Sequence, residues 1–207
     1  QALRHVNGRP QVTQTLVGKS DLLRIFAMVL HIRAPDHEAP NGMTPLELAL
    51  QRIDAANAED PNTVLVAGES RPAELVYSER MIAMLERLVP EASEALRLAA
   101  RAQHLRRWTI PRDSYPMDRA GYHRWRGELK RRHAEWASAI LIESGVDAET
   151  TARVASLIRK ENLKTDAETQ TLEDVACLVF LKHYAADFAS KHEHPKMIGI
   201  VQKTWKK

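Results

Sequence analysis

A chain of 207 residues with 44% hydrophobic content can bury the core of one domain and carry an appendage. With 28% charged residues and a formal net charge of +3, it is neither a disordered polyelectrolyte nor basic enough to announce nucleic acid by bulk charge. The single cysteine, Cys177, excludes an intrachain disulfide framework, reads as a core residue and points to a reducing, cytoplasmic setting; no apolar segment is long enough to span a bilayer.

Along the chain, residues 1–42 are expected to be an extension or linker, ending in the proline- and glycine-bearing "RAPDHEAPNG". A single helical domain is expected over 43–207. It opens with "MTPLE", where Thr44 is the N-cap, Pro45 sits at N1 and Glu47 closes a capping box. Helical spacing predicts helices near 44–57, 72–88, 91–108, 121–144, 148–162, 171–190 and 195–206. Gly145 reads as the residue after a helix end, and Asp147 and Thr171 as caps of the helices that follow. The one strand candidate is "NTVLVAG". The expected class is therefore all-α, a multi-helix bundle.

Burying a charge without partners is costly, so ionisable residues on apolar helix faces are informative. Glu79 lies between Leu75 and Ile82, and His133 precedes Trp136, Ala137 and Ile140. Glu161 follows Val154, Leu157 and Ile158, while Asp174 precedes Cys177, Leu178 and Leu181. His104 sits at the edge of the stripe of Leu98, Ala102 and Leu105. Each has a bland account as a core or capping residue. Together, two imidazoles and three carboxylates from five helices could ligate one divalent metal ion. "KHEHP", at 191–195, reads as a solvated linker.

The order of these residues resembles the HD superfamily of metal-dependent phosphohydrolases. "LVYSERMIAML" is similar to that family's first core helix, with Glu79 at a histidine position. "LAARAQH" resembles the second, with Gln103-His104 in place of His-Asp. "RHAEWASAIL", "VASLIRKE" and "LEDVACLVFL" resemble the next three, bringing His133, Glu161 and Asp174. The resemblance implies an HD-like bundle and a metal centre made of Glu79, His104, His133, Glu161 and Asp174. A second resemblance covers 44–207. "ELVYSERM", "RAQHLRRWTIPR", "YPMDRAGYHRWR" and "TLEDVACLVFLKHY" are similar to a domain-of-unknown-function family, number 4202, whose members sometimes carry a glutamyl-tRNA synthetase name. The chain has neither the length of a synthetase nor an ATP-binding signature.

Residues 101–132 hold ten arginines and lysines, with Trp108, Tyr115, Tyr122 and Trp125 between them. Guanidinium groups pair with phosphate in two-point geometry, and aromatics can stack a base. The leading expectation is a metal-dependent phosphohydrolase acting on a small phosphorylated compound or nucleotide. The divalent metal would activate water, Glu135 would serve as base, and Gln103, Arg107, Trp108 and Arg112 would hold the substrate. The alternative is a non-catalytic module contacting RNA or a protein partner through segment 101–132.

Overall fold

The computed structural model describes residues 42–190. The expected leader, the helix at 195–206 and "KHEHP" lie outside the described residues. The order is α1 (Pro45–Ala58), β1 (Thr63–Val66), β2 (Glu69–Pro72), α2 (Ala73–Leu88), α3 (Glu94–Ala102), α4 (Arg119–Glu143), α5 (Ala148–Arg159), α6 (Ala167–His183) and α7 (Ala185–Ser190). The fold is an all-α bundle with one small hairpin.

Local chemistry sets most helix starts. The capping box of α1 forms: Glu47 N–H donates to Thr44 Oγ1 at 3.2 Å, and Thr44 N–H to Glu47 Oε2 at 2.8 Å. Asp147 caps α5, accepting from Thr150 N–H at 2.8 Å, and Gly145 takes the left-handed φ of 82° after α4. The strand candidate is β1. It pairs antiparallel with β2 through a two-residue turn, Ala67-Gly68, with φ of 51° and 87°.

Several boundaries differ from expectation: the helix expected to reach 162 ends at Arg159, the one expected to reach 190 breaks at Tyr184, and two further cases have a clear local cause. α6 begins at Ala167, capped by Asp166, so Thr171 is an interior residue whose hydroxyl donates to the Ala167 carbonyl at 2.8 Å. α3 ends at Ala102 rather than near 108, because the chain turns through a left-handed Arg106 (φ 53°) into a short 3₁₀ turn at Arg107–Thr109.

α3 is the central helix. It packs on α1, α2, α5 and α6, and its Leu98, Ala99, Ala100 and Ala102 are fully buried. Four small residues in nine let the surrounding helices approach closely, and Ile53, Met81, Leu141, Leu157 and Leu172 close the core around it. Among the described residues, no helix is long and apolar enough to cross a membrane.

Candidate functional site

A cleft of about 470 Å³ opens where the first turns of α2, the turn after α3, the middle of α4, the end of α5 and the outer face of α6 meet. Glu74 and Tyr77 come from α2. That helix has no side-chain cap at Pro72; instead Asp60, itself buried, accepts from Glu74 N–H at 3.0 Å and from Asn62 N–H at 2.9 Å. The hairpin is thereby tied to the helix, and Glu74 is fixed at the cleft wall.

His104 and Arg107 enter from the turn after α3. The His104 ring stacks on Tyr77, with centroids 4.1 Å apart and planes within 9°. Its Nδ1 faces Glu74 Oε2 at 3.2 Å, and Arg107 Nε lies 3.8 Å from Glu74 Oε1. The Arg107 guanidinium lies 4.8 Å from the Trp125 ring centroid, and that indole donates to the Ile110 carbonyl at 2.9 Å. Lys160 follows the last residue of α5. Its left-handed φ of 59° ends the helix and swings the ammonium inward, against Glu173 at 2.5 Å. Arg126, from α4, lines the same end, with no carboxylate partner or hydrogen-bond acceptor among the described residues.

Burial dominates the electrostatics. It raises the Glu74 carboxyl to about 7, against a smaller opposing pull from Arg107. It drives His104 well below the ordinary imidazole range, helped by Arg107 and Lys160, and lowers Arg107 and Lys160 themselves. Three cations therefore converge on a cleft whose two carboxyl groups are a Glu74 that titrates near neutrality and a Glu173 already bound to Lys160.

Behind His104 sits His133, 3% exposed, with ring centroids 6.0 Å apart. Burial, then the neighbouring His104 and Arg107, lower it to about 2, against a hydrogen bond to the Gln103 backbone. Its Nε2 is buried with no hydrogen-bond partner, and His133 borders a recess of about 20 Å³ that His104, Arg107, Arg126 and Lys160 also line.

The metal centre expected from sequence is not assembled. Among the described residues no three His, Cys, Asp or Glu groups are placed to hold a metal ion. His104 and His133 come together; the three carboxylates leave. Glu79 pairs with Arg71 through two bonds of 2.7 and 3.0 Å, off the buried face of α2. Glu161 is exposed and paired with Arg159 at 2.6 Å, because α5 has already ended and the helical register that placed it inward no longer applies. Asp174 is exposed and accepts from Gln170 at 2.7 Å, the buried face of α6 running through Leu172, Glu173, Val175 and Val179. The donor set does not fit a bound cation.

Glu135 is exposed, tied to Arg131 at 2.5 Å, and is not placed to act as a base in the cleft. Arg112 spends its guanidinium on the backbone carbonyls of Tyr115, Pro116 and Asp118, at 3.1, 2.9 and 3.3 Å, stapling the loop before α4. Trp108 does not line the cleft. Gln103 and Arg107 do, with Gln103 donating to the Tyr77 hydroxyl at 3.3 Å. Cys177, expected in the core, is half-buried on the cleft wall.

Sequence reasoning missed Glu74, Arg126, Lys160 and Glu173. Glu74 looks like a helix-start acid offsetting the dipole. Glu173 and Lys160 are each one residue from a carboxylate chosen by spacing. Arg126 was one of many basic residues in its segment, and pairing, which sequence does not reveal, is what distinguishes it.

A family model described as Domain of unknown function (DUF4202) matches residues 47–207. No curated protein and no solved structure matches the chain.

Proposed function

The chain belongs to the DUF4202 family, and we propose that its cleft binds a small phosphorylated compound and hydrolyses the phosphate ester. The observation that carries this reading is the convergence of Arg107, Arg126 and Lys160 at one end of the cleft, with Arg126 lacking any counter-ion among the described residues. A half-buried cation without a matching acid, set beside two others, persists when an anion offsets it. The other wall, of Val64, Ala73, Ala176 and Phe180, suits the apolar body of such a ligand.

The chemistry rests on Glu74 and His104. With Nδ1 turned to Glu74, His104 presents Nε2 to the substrate. A water attacks phosphorus as the ester P–O bond breaks, and the leaving oxygen takes a proton from solvent, giving an alcohol and inorganic phosphate. His104 Nε2 takes the water's proton, and Glu74 offsets the imidazolium that forms. The phosphate's own charge counters Arg107, Lys160 and Arg126, the cations that add to burial in holding His104 low. Arg107, Arg126 and Lys160 face the equatorial oxygens, where transition-state charge gathers. No step is assigned to a metal, because the carboxylates expected to bind it lie elsewhere.

The RNA-binding alternative has less support. Much of its basic segment is occupied by other partners: Arg101 by Asp54, Arg106 by Glu59, Arg112 by carbonyls, and Arg131 and Arg132 by Glu128 and Glu135.

Titration calorimetry with inorganic phosphate and turnover of p-nitrophenyl phosphate test the proposal. The wild type should bind phosphate. Arg126→Ala should bind it at least about tenfold more weakly with an unchanged melting temperature, since charge-assisted bonds contribute about 1.5–3 kcal/mol. His104→Ala should remove turnover. A wild type that binds no phosphate overturns the reading; binding without turnover leaves an anion site and removes the hydrolytic step.

A further inference from the structure

The proposed mechanism uses His104 and leaves His133 idle, yet His133 is the stranger residue. It is a buried imidazole that borders a cation-lined recess, with its Nε2 orphaned. The cations that border the recess, Arg107, Arg126 and Lys160, favour the neutral tautomer whose N–H sits at Nδ1. The neutral ring then carries its lone pair on Nε2. A buried acceptor without a donor costs about 1–3 kcal/mol, and native proteins leave few of them.

The recess it faces, about 20 Å³, is continuous in its lining with the cation end of the cleft: Gln103, His104, Arg107, Arg126 and Lys160 border both. That volume admits one oxygen-sized group. An anion bridging Arg107, Arg126 and Lys160 can drop one oxygen into the recess. A bare anionic oxygen there would meet the Nε2 lone pair and be repelled. An oxygen carrying a hydrogen would donate to it.

Resting on the phosphate-binding reading above, we infer that His133 Nε2 accepts a hydrogen bond from a P–OH group and makes the site selective for phosphate over sulfate. Inorganic phosphate keeps a P–OH throughout the neutral range; a phosphate ester has one only as its monoanion; sulfate has none. His133 is thus a specificity-determining residue, setting the protonation state in which an ester enters and holding the product phosphate. The logic is that of sites built around a buried polar partner, which reject analogues lacking the matching group far more strongly than apolar pockets do.

The test compares inorganic phosphate with sulfate at mildly alkaline pH. There both are dianions of similar size and tetrahedral shape, and differ in the hydroxyl. Calorimetry on the wild type should give phosphate at least about tenfold tighter than sulfate, the ratio expected when one ligand leaves the acceptor unpaired. In His133→Leu the ratio should fall toward one, mainly because sulfate binds better. His133→Gln, whose amide can turn its NH₂ to an anion, should also lose the preference, and serves if the leucine variant does not fold. On the wild type itself, the His133 Nε2 resonance in ¹⁵N-histidine spectra should move on adding phosphate and stay on adding sulfate.

Equal affinities in the wild type, a ratio unchanged in both variants, or a resonance that moves with both anions would each overturn the role of His133 while leaving the phosphate site intact. Binding of neither anion would overturn the site and, with it, this inference.

Discussion

Two clusters of basic residues, both on or beside α4, behave as opposites. On the outer face of that helix, Arg131 and Arg132 alternate with Glu128 and Glu135 at three- and four-residue spacing. Each contact is 2.5–3.6 Å, and the side chains are 26–48% exposed. A turn earlier on another face, Arg126 looks into the cleft with Arg107 and Lys160. The ladder is self-neutralising and solvated, whereas the cleft is cationic and partly dry. Reading charge along the chain merges the two. Burial and pairing separate them, and only the second cluster holds electrostatic free energy that a ligand can release.

The sharpest way to break this contrast is Glu173→Ala. It strands the Lys160 ammonium, in a pair whose side chains are each 9% exposed. Losing one partner of a buried pair costs about 3–5 kcal/mol. Urea denaturation should show the midpoint falling accordingly, with partial recovery on adding saturating phosphate. A loss no larger than that of a surface variant would mean the cleft is wet and its charges screened like the ladder's.

Glu74→Gln probes the same dryness through pH. Folding raises this carboxyl from its ordinary 4.5 to about 7, so the native state binds the proton more tightly than the unfolded chain. The stability that the raised value supplies is fully present below about pH 4.5 and disappears as pH rises toward 7. The glutamine variant carries no such dependence. Its stability relative to wild type should therefore improve between those limits, by on the order of 3 kcal/mol. Chemical denaturation at a series of pH values measures it. A wild-type-minus-variant difference that is flat with pH would place Glu74 in water.

At the other end of the scale, Arg131→Ala should leave the denaturation midpoint within error and phosphate affinity unchanged. Exposed pairs contribute little and are screened by salt. A drop comparable with that of Arg126→Ala in phosphate titration would erase the distinction between the two clusters.

The bundle was legible because its signals are local. "MTPLE" contains a complete capping box, Gly145 and Asp147 mark a helix end and the next start, and "NTVLVAG" is a short β-branched run closed by glycine. The site was legible only in part, and the errors share a cause. Helical phase was extrapolated past a helix end at Glu161, one residue beyond the left-handed Lys160. On α6 the run "LEDVACLVFL" is apolar nearly all round, so spacing could not tell the Asp174 face from the Glu173 face. One residue is about 100° of rotation, enough to move a side chain from cleft to solvent. His104, His133, Gln103 and Arg107, singled out from sequence, do border the cleft or its recess, because they flank a strongly patterned helix or carry a buried imidazole. Arg126 and Glu74 depend on contacts between elements far apart in sequence, which no local pattern encodes.

The backbone at Lys160 sets stability and function against each other at one position. Its left-handed φ of 59° is the conformation glycine adopts without penalty, and the lysine there is nevertheless almost buried against Glu173. Selection for heat resistance alone would favour Lys160→Gly together with an apolar replacement of Glu173, relieving a strained residue and an ion pair in two steps. The same two steps delete one of the three cations. Laboratory evolution toward higher melting temperature should therefore find this pair early, and, if the proposed site is right, lineages that take it should bind phosphate more weakly than those that keep Lys160.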